Sequence, residues 1–453
     1  MRFIKWLNQC AIFTLIFTNY VLAQTQTVEQ EALVETDFVS SADTQLPLDQ
    51  IKTFSEVFTR IKRNYVTPVS DELLLEYAIK GMLHGLDPHS VYLKGESFEQ
   101  LNEGTTGRFG GLGMEVIMED GFVKVVAPID DTPASKAGIQ TGDLIIRIDG
   151  KAISGGSLRE ATEQMRGEPG TAITLTILRE TDPDPFDLEL QRALVQLSSV
   201  KSKMLSKAVG YIRISQFQLA TSDEFRKQLK ALRNNEAFGG LVLDLRNNPG
   251  GLLTSAVSIA DNFIAHGAIV STKGRHTEDD QAFTASPSDL IDGKPVVVLI
   301  NGGSASASEI VAGALQDHGR GLILGTESFG KGSVQSVVNI GETEAIKMTT
   351  ARYYTPSGRS IQAAGIVPDV IVESRQFKEQ KKRYQRIKEN DLMGHLSNDT
   401  NPEVEKTSKG IEAQLKTDYQ LNEAFNLLNG LVLFKTSSIN STEKVAAELD
   451  TNQ

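Results

Sequence analysis

The spacing of hydrophobic positions changes several times along the chain, and each change marks an element. Between Leu48 and Leu83 the spacing is helical. Ile51, Phe54, Val57, Phe58 and Ile61 make one apolar stripe, and Leu73, Leu74, Ala78 and Met82 a second, in a helix expected from Ser70 to Leu83. Further on the period shortens to two. Glu115–Met118, Phe122–Val126 and Ile173–Leu178 predict strands, with glycine turns at Gly110-Gly111-Leu112-Gly113, Gly138 and Gly150 between elements and a helix from Leu158 to Arg166. From Lys207 to about Val372 strands and helices alternate. Gly210–Ile214, Leu241–Arg246 and Val296–Ile300 are strands, Ser222–Leu232 and Leu252–Ile264 helices, which predicts an open, largely covered α/β sheet. Phe377–Leu396 is a charged stretch expected to be helical, and Ser397–Gly410 is polar and loose. Tyr419–Leu433 places Leu421, Ala424, Phe425, Leu427 and Leu428 at helical spacing, which suits docking on a partner or on another subunit. Ser437–Gln453 is expected to be disordered.

Composition narrows the setting. A chain of 453 residues exceeds what one core organises, so several domains are expected. Residues 1–23 have the make-up of a signal peptide. Arg2 and Lys5 open it, Ala11–Phe17 is apolar, and Val21-Leu22-Ala23 precedes Gln24. The competing reading is an uncleaved anchor at the membrane surface; Asn19, Tyr20 and the shortness of the apolar run argue against it. An exported, periplasmic protein is expected. The only cysteine, Cys10, and the only tryptophan, Trp6, lie in this segment, so the mature chain forms no disulfide. Cleavage removes two of 46 basic residues and none of 58 acidic ones, taking the formal charge from −12 to −14. That balance disfavours nucleic acid and anionic membrane as partners. Gln24–Leu46, polar and acidic, reads as a flexible spacer.

The chemistry concentrates between Pro295 and Gln335. Asn301-Gly302-Gly303 ends an apolar strand, and Ser304-Ala305-Ser306-Ala307-Ser308-Glu309 leads into the helix Ile310–Leu315. A serine at such a tip is held exposed, near N–H groups and a helix dipole able to stabilise an oxyanion. It needs a base. His318 lies twelve residues along the same helix, roughly 18 Å away, and is out of reach. Lys331, between Gly330 and Gly332, is oddly placed for a solubilising charge. Burial would lower its pKa and let the neutral amine take a proton. At strand alternation Gln335 faces the same side and could hold that amine. Asp244 stands beside Arg246 and reads as a structural ion pair. His84 and His89 have no acidic or cysteine companions for a metal site. Without His-Glu-x-x-His or a Walker loop, no metal or cofactor is expected.

Ser-Ala-Ser-Ala-Ser-Glu followed by Phe-Gly-Lys-Gly-Ser-Val-Gln closely resembles the C-terminal processing peptidases, or tail-specific proteases. The resemblance implies Ser306 as nucleophile, Lys331 as general base and Gln335 as its orienting group. Asp244-Leu-Arg-Asn-Asn-Pro-Gly-Gly251 also matches, and implies an oxyanion hole of Ala307 with Gly250 or Gly251. The segment at 106–192 resembles bacterial PDZ domains, in which Leu112, Gly113 and Met114 would line the site for a substrate's C-terminal carboxylate. The implied fold class is a multidomain α+β and α/β protein. Its parts are a signal peptide (1–23), spacer (24–47), helical N-terminal region (48–105), PDZ domain (106–192), crotonase-like α/β peptidase core (193–374) and helical C-terminal extension with a disordered tail (375–453). The partners implied are proteins or peptides with accessible C-termini, with homo-oligomer or adaptor contacts through the C-terminal helices. Two rivals stand beside this reading: an inactive PDZ adaptor on a protease scaffold, and crotonase-type chemistry on acyl thioesters, which an exported protein would seldom meet.

Overall fold

A computed structural model describes residues 47–153, 157–182, 184–375 and 409–450. The segments expected to be a signal peptide and a spacer, the charged 377–396 stretch and the polar stretch that follows it as far as residue 408 lie outside the described residues. The chain divides into two units at Ala78. In the first, helix α1 (Leu48–Asn64) buries no residue, and its apolar stripe, Phe54, Val57, Phe58 and Ile61, lines a groove of about 660 Å³ together with Leu73, Leu74 and Tyr77. Helix α2 (Asp71–His84) runs on into the second unit. There strand β1 (Val91–Lys94) and helix α3 (Glu96–Thr106) precede β2 (Arg108–Gly111).

A small domain follows. Its elements are β3 (Met114–Glu119), β4 (Phe122–Pro128), α4 (Pro133–Lys136), β5 (Leu144–Ile148), β6 (Lys151–Ala152), α5 (Leu158–Met165), β7 (Ala172–Leu178) and β8 (Phe186–Gln191). The sheet order is β3-β4-β5-β7-β8, which leaves β3 on an edge. Inward-facing Val123, Val125, Ile145, Ile148, Ile173, Leu175 and Ile177 meet Ala161 and Met165 of α5 in a separate core. Ser157 starts α5 with a reciprocal cap, its hydroxyl accepting the Glu160 N–H while the Glu160 carboxylate accepts the Ser157 N–H. The domain leaves through β9 (Ala193–Gln196), which pairs antiparallel with β2.

The largest part contains β10 (Val200–Met204), β11 (Val209–Ile214), α6 (Thr221–Arg233), β12 (Gly240–Asp244), α7 (Leu253–Asp261), β13 (Ala268–Gly274), β14 (Gln281–Thr284), β15 (Val296–Ile300), α8 (Ala307–Asp317), β16 (Leu322–Gly325), β17 (Ser333–Asn339), β18 (Glu344–Tyr354), β19 (Val370–Ile371), α9 (Lys409–Thr417) and α10 (Tyr419–Asp450). Six strands form one sheet, β10-β11-β12-β15-β16-β19, parallel from β11 onward. Every residue of β12 and β15 is buried. Val296, Val298 and Ile300 join the core beneath α6, α7 and α8, while Val297 and Leu299 join a second core on the opposite face. Strands apolar on both faces need cover on both.

That need corrects the reading of the C-terminal helix. The apolar face of α10, expected to await a partner or subunit, lies on the chain's own sheet: Leu421, Ala424 and Leu428 are buried against Val242, Val297, Leu299 and Leu324. Burying a leucine there contributes about 1.5–3 kcal/mol, and without α9 and α10 the far face of the sheet would be bare. The helix also continues to Asp450 through the stretch expected to be disordered; Val445-Ala446-Ala447-Glu448-Leu449 are mostly good helix formers. A second sheet, β1-β18-β13-β14 with β17 added to β18, shares the core of the first through Ile269, Val270 and Tyr353.

Candidate active site

The parallel strands β12 and β15 end side by side, and the loops that leave them are stitched together. The Asn301 Oδ1 accepts the N–H groups of Asn247 (2.9 Å) and Gly303 (3.0 Å), and its Nδ2 donates to Asn247 Oδ1 at 2.9 Å. The Ser304 hydroxyl donates to the Leu245 carbonyl at 2.8 Å. The Asn248 carbonyl accepts from the Ala305 N–H (3.0 Å) and the Ser308 hydroxyl (2.9 Å). Between these anchors Ser306 stands immediately before α8 with φ +54° and ψ −111°. A non-glycine residue in that region carries strain of roughly 1–3 kcal/mol, which persists only where the surroundings impose it. Here the imposing group is Glu309.

Glu309 is fully buried and joins the Ser306 and Lys331 segments. Its Oε2 accepts the backbone N–H of Ser306 at 2.7 Å and of Lys331 at 2.9 Å. Its Oε1 accepts the Gly330 N–H at 2.7 Å and the Ser328 hydroxyl at 2.6 Å. The backbone nitrogens of Ser306 and Lys331 are therefore no further apart than two hydrogen bonds laid end to end. In the sequence Glu309 stands out only as the end of the Ser-Ala-Ser-Ala-Ser-Glu run. The signal that could have found it was the Ser-x-x-Glu spacing of a capping box, whose carboxylate reaches back to the residue before the helix.

The glycines around Lys331 have a steric cause. A Cβ on Gly332 would lie 2.3 Å from the Gln362 nitrogen, and Gly330 has φ +87°. Lys331 is half-buried, and its pKa falls below the ordinary lysine value, chiefly by burial and then by the charge of Lys347, against Asp87 and Glu309, which raise it. Among the described residues no hydrogen bond joins the Lys331 amine to the Ser306 hydroxyl. The phenol of Tyr353, whose pKa burial raises, lies beside Ser306. The alternation that would set Lys331 and Gln335 on one side does not operate, because Lys331 precedes β17 and a bulge falls between Val334 and Gln335. The Gln335 Nε2 donates to the Ser333 hydroxyl (2.8 Å) and, more weakly, to the Thr349 hydroxyl at 3.4 Å.

Thr349 leads to a contribution that sequence reasoning missed. Its N–H donates to the Ser90 hydroxyl at 3.2 Å, which in turn donates to Asp87 Oδ2 at 2.7 Å. The Asp87 Oδ1 accepts the N–H groups of His89 (2.7 Å) and Ser90 (3.0 Å). The pKa of His89 is lowered, first by burial and then by the charge of Lys331. The Asp87–Ser90 turn thus borders Lys331.

Of the two candidate glycines, Gly250 abuts Ser306: a Cβ there would lie 2.8 Å from the Ser306 Cβ and 3.1 Å from the Ala307 nitrogen. Its own N–H donates to Asn248 Oδ1 at 2.9 Å. A Cβ on Gly251 would instead lie 2.0 Å from the Phe217 carbonyl oxygen. Asp244 and Arg246 form the ion pair expected of them, at 2.8 Å. In the small domain Leu112 is buried in the core, so only its backbone is available to a ligand. The Gly113 carbonyl accepts from the Ile129 N–H and the Thr132 hydroxyl, both at 2.9 Å, which fixes the loop that leads into edge strand β3 and Met114.

The family model described as Peptidase family S41 matches residues 208–372, that of the PDZ domain residues 110–190, and that of the activating protease CtpB N-terminal domain residues 10–97. A carboxy-terminal-processing protease of Bartonella bacilliformis is 47% identical over 403 residues, covering 88% of this chain and 92% of that protein. The chain belongs to the carboxy-terminal processing proteases. This S41 serine-type peptidase is also 36% identical to carboxy-terminal processing protease CtpB of Bacillus subtilis, over 76% of the chain and 72% of that protein. Among solved structures, a photosystem II D1 C-terminal processing protease is 30% identical, with TM-score 0.43, covering 71% of this chain and 92% of that one.

Proposed function

We propose that this S41 protease is an exported, periplasmic endopeptidase that takes hold of a substrate's C-terminus and cleaves with Ser306 and Lys331. The shared bond acceptor, Glu309 Oε2, is the observation that carries the reading, because it brings the nucleophile's backbone and the base's backbone to one point. A substrate tail adds to β3 at the open edge of the PDZ sheet, its carboxylate received by backbone N–H groups at Leu112, Gly113 and Met114. In the reactive state the neutral Lys331 amine, oriented by the Gln335 amide oxygen, takes the Ser306 proton as Oγ attacks the scissile carbonyl. The Ala307 N–H and an N–H of the Gly250-Gly251 turn take the oxyanion. Collapse breaks the C–N bond, and the Lys331 ammonium returns its proton to the leaving amine. Water, deprotonated by Lys331, then hydrolyses the Ser306 ester.

Incubation of the purified mature chain with an unfolded protein tests this. Ser306→Ala and Lys331→Ala should each abolish cleavage with an unchanged unfolding temperature, and amidating the substrate's C-terminus should slow wild-type cleavage. Cleavage retained in either variant removes the dyad. A second reading, a PDZ adaptor on an inactive core, is favoured by the missing bond between the two side chains. It requires wild type and Ser306→Ala to be equally inert in that incubation.

A further inference from the structure

Arg246 lies just beyond β12 and uses its guanidinium fully. Its Nε donates to Asp244 Oδ1 (3.0 Å), its Nη2 to Asp244 Oδ2 (2.8 Å) and Asp418 Oδ2 (2.7 Å), and its Nη1 to Asp418 Oδ1 (2.8 Å) and Gln420 Oε1 (3.1 Å). Asp418 is 172 residues further along the chain. It also accepts the Leu421 N–H at 3.0 Å and so starts α10, while the Gln420 Nε2 donates to the Val372 carbonyl at 2.7 Å beyond β19. Burial would raise the Asp418 carboxyl, but the hydrogen bonds from Arg246 hold it below the usual carboxylate range.

Asp244 is shared with Arg213, at 3.4 Å, so Asp418 both completes the charge balance of Arg246 and holds it from a second side. A second carboxylate in a two-point grip adds fixed geometry: it sets the plane of the guanidinium and with it the end of the strand. The next two residues are Asn247, held in the left-handed region at φ +55°, and Asn248. The Asn248 side chain accepts the Gly250 N–H, and its carbonyl holds Ala305 and Ser308 on either side of Ser306. The start of the C-terminal helix is thus two residues from the group that seats both the glycine turn and the nucleophile.

We infer that Asp418 and Gln420 are positioning residues for peptide hydrolysis, gripping Arg246 so that the Asn247–Gly251 turn stays seated against Ser306, where the oxyanion of the proposed reaction would form. The inference rests on Ser306 being the nucleophile. By it the C-terminal extension is part of the support of the hydrolytic site, and truncation before α10 costs turnover as well as stability.

The test uses the full mature chain. Asp418→Asn keeps the size of the side chain and removes its charge and one acceptor. It should lower kcat about tenfold or more with KM within about twofold, and weaken a peptide aldehyde, which forms an oxyanion on the serine, by a similar factor. Amide exchange in residues 247–251 should quicken, whether or not the protein cleaves the chosen peptide. Leu428→Ala, which removes a buried side chain of the same helix away from Arg246, should lower the unfolding temperature and leave kcat unchanged below it. Unchanged exchange and turnover in Asp418→Asn would overturn the inference, as would loss of kcat in both variants in proportion to lost stability. Wild-type cleavage that persists in Ser306→Ala would instead remove the nucleophile reading.

Discussion

Glu309→Gln changes one atom at the centre of the site, and its cost can be worked from the contacts. With the amide nitrogen at the Oε2 position, two backbone N–H groups, those of Ser306 and Lys331, would each face a donor. With it at the Oε1 position, the Ser328 hydroxyl can turn to accept, but the Gly330 N–H is left unpaired. The second placement costs less, and the side chain adopts it. One orphaned buried N–H costs about 1–3 kcal/mol, and two bonds that lose their charge assistance cost about 1 kcal/mol each. The total is about 3–5 kcal/mol, a fall of about 10 °C in the unfolding midpoint of a core this size. Because the loosened group is the Gly330 end of the lysine turn, kcat should fall by more than tenfold while KM changes little. Thermal unfolding and steady-state cleavage of one peptide read both effects. A Glu309→Gln protein that melts within about 2 °C of wild type and turns over normally would refute the role given to this carboxylate.

The acid limb of kcat/KM against pH should fall below the ordinary lysine value and move in opposite directions in two variants. Lys347→Ala removes a charge that lowers the Lys331 pKa, so the limb shifts to higher pH; Asp87→Asn removes one that raises it, so the limb shifts to lower pH. An immobile limb in both would mean that another group titrates. Because the folded pKa of Lys331 lies below its unfolded value, the unfolded chain binds more protons between the two, and this residue's contribution to stability grows as pH rises through that window. Gly250→Ala should lower kcat about a hundredfold, since its Cβ would press on Ser306 from a residue at φ +103°; wild-type turnover would show that the turn can withdraw without consequence.

The sequence made the layers legible where burial acts on consecutive residues. Leu241–Leu243 and Val296–Ile300 are continuous apolar runs, and their order among helical stretches gives the α/β core. The same runs implied cover on both faces, and α10 supplies the second cover. Its amphipathic pattern alone could not say whether its partner was foreign, because a stripe of leucines records a need for burial and no address. Within the site, Ser306 and Lys331 were legible because each stands in a run with odd local chemistry. Two features were not. The bulge at Val334/Gln335 arises from pairing with β18, which no local pattern encodes. The Asp87–Ser90–Thr349–Gln335 path joins residues that are neighbours only once β1 has paired with β18.

The ribbon formed by β2 and β9 gives the protein a modular build. Gly111 faces Ala193 and Gly110 faces Leu194, so the chain leaves the core and returns at points about 5 Å apart. Everything between is a cassette whose removal need not open the core, since a short loop closes so small a gap. Under the proposed function, exchanging that cassette for another of the same kind at this doorway would give hybrids in which the choice of tail is altered and the hydrolytic chemistry is inherited intact.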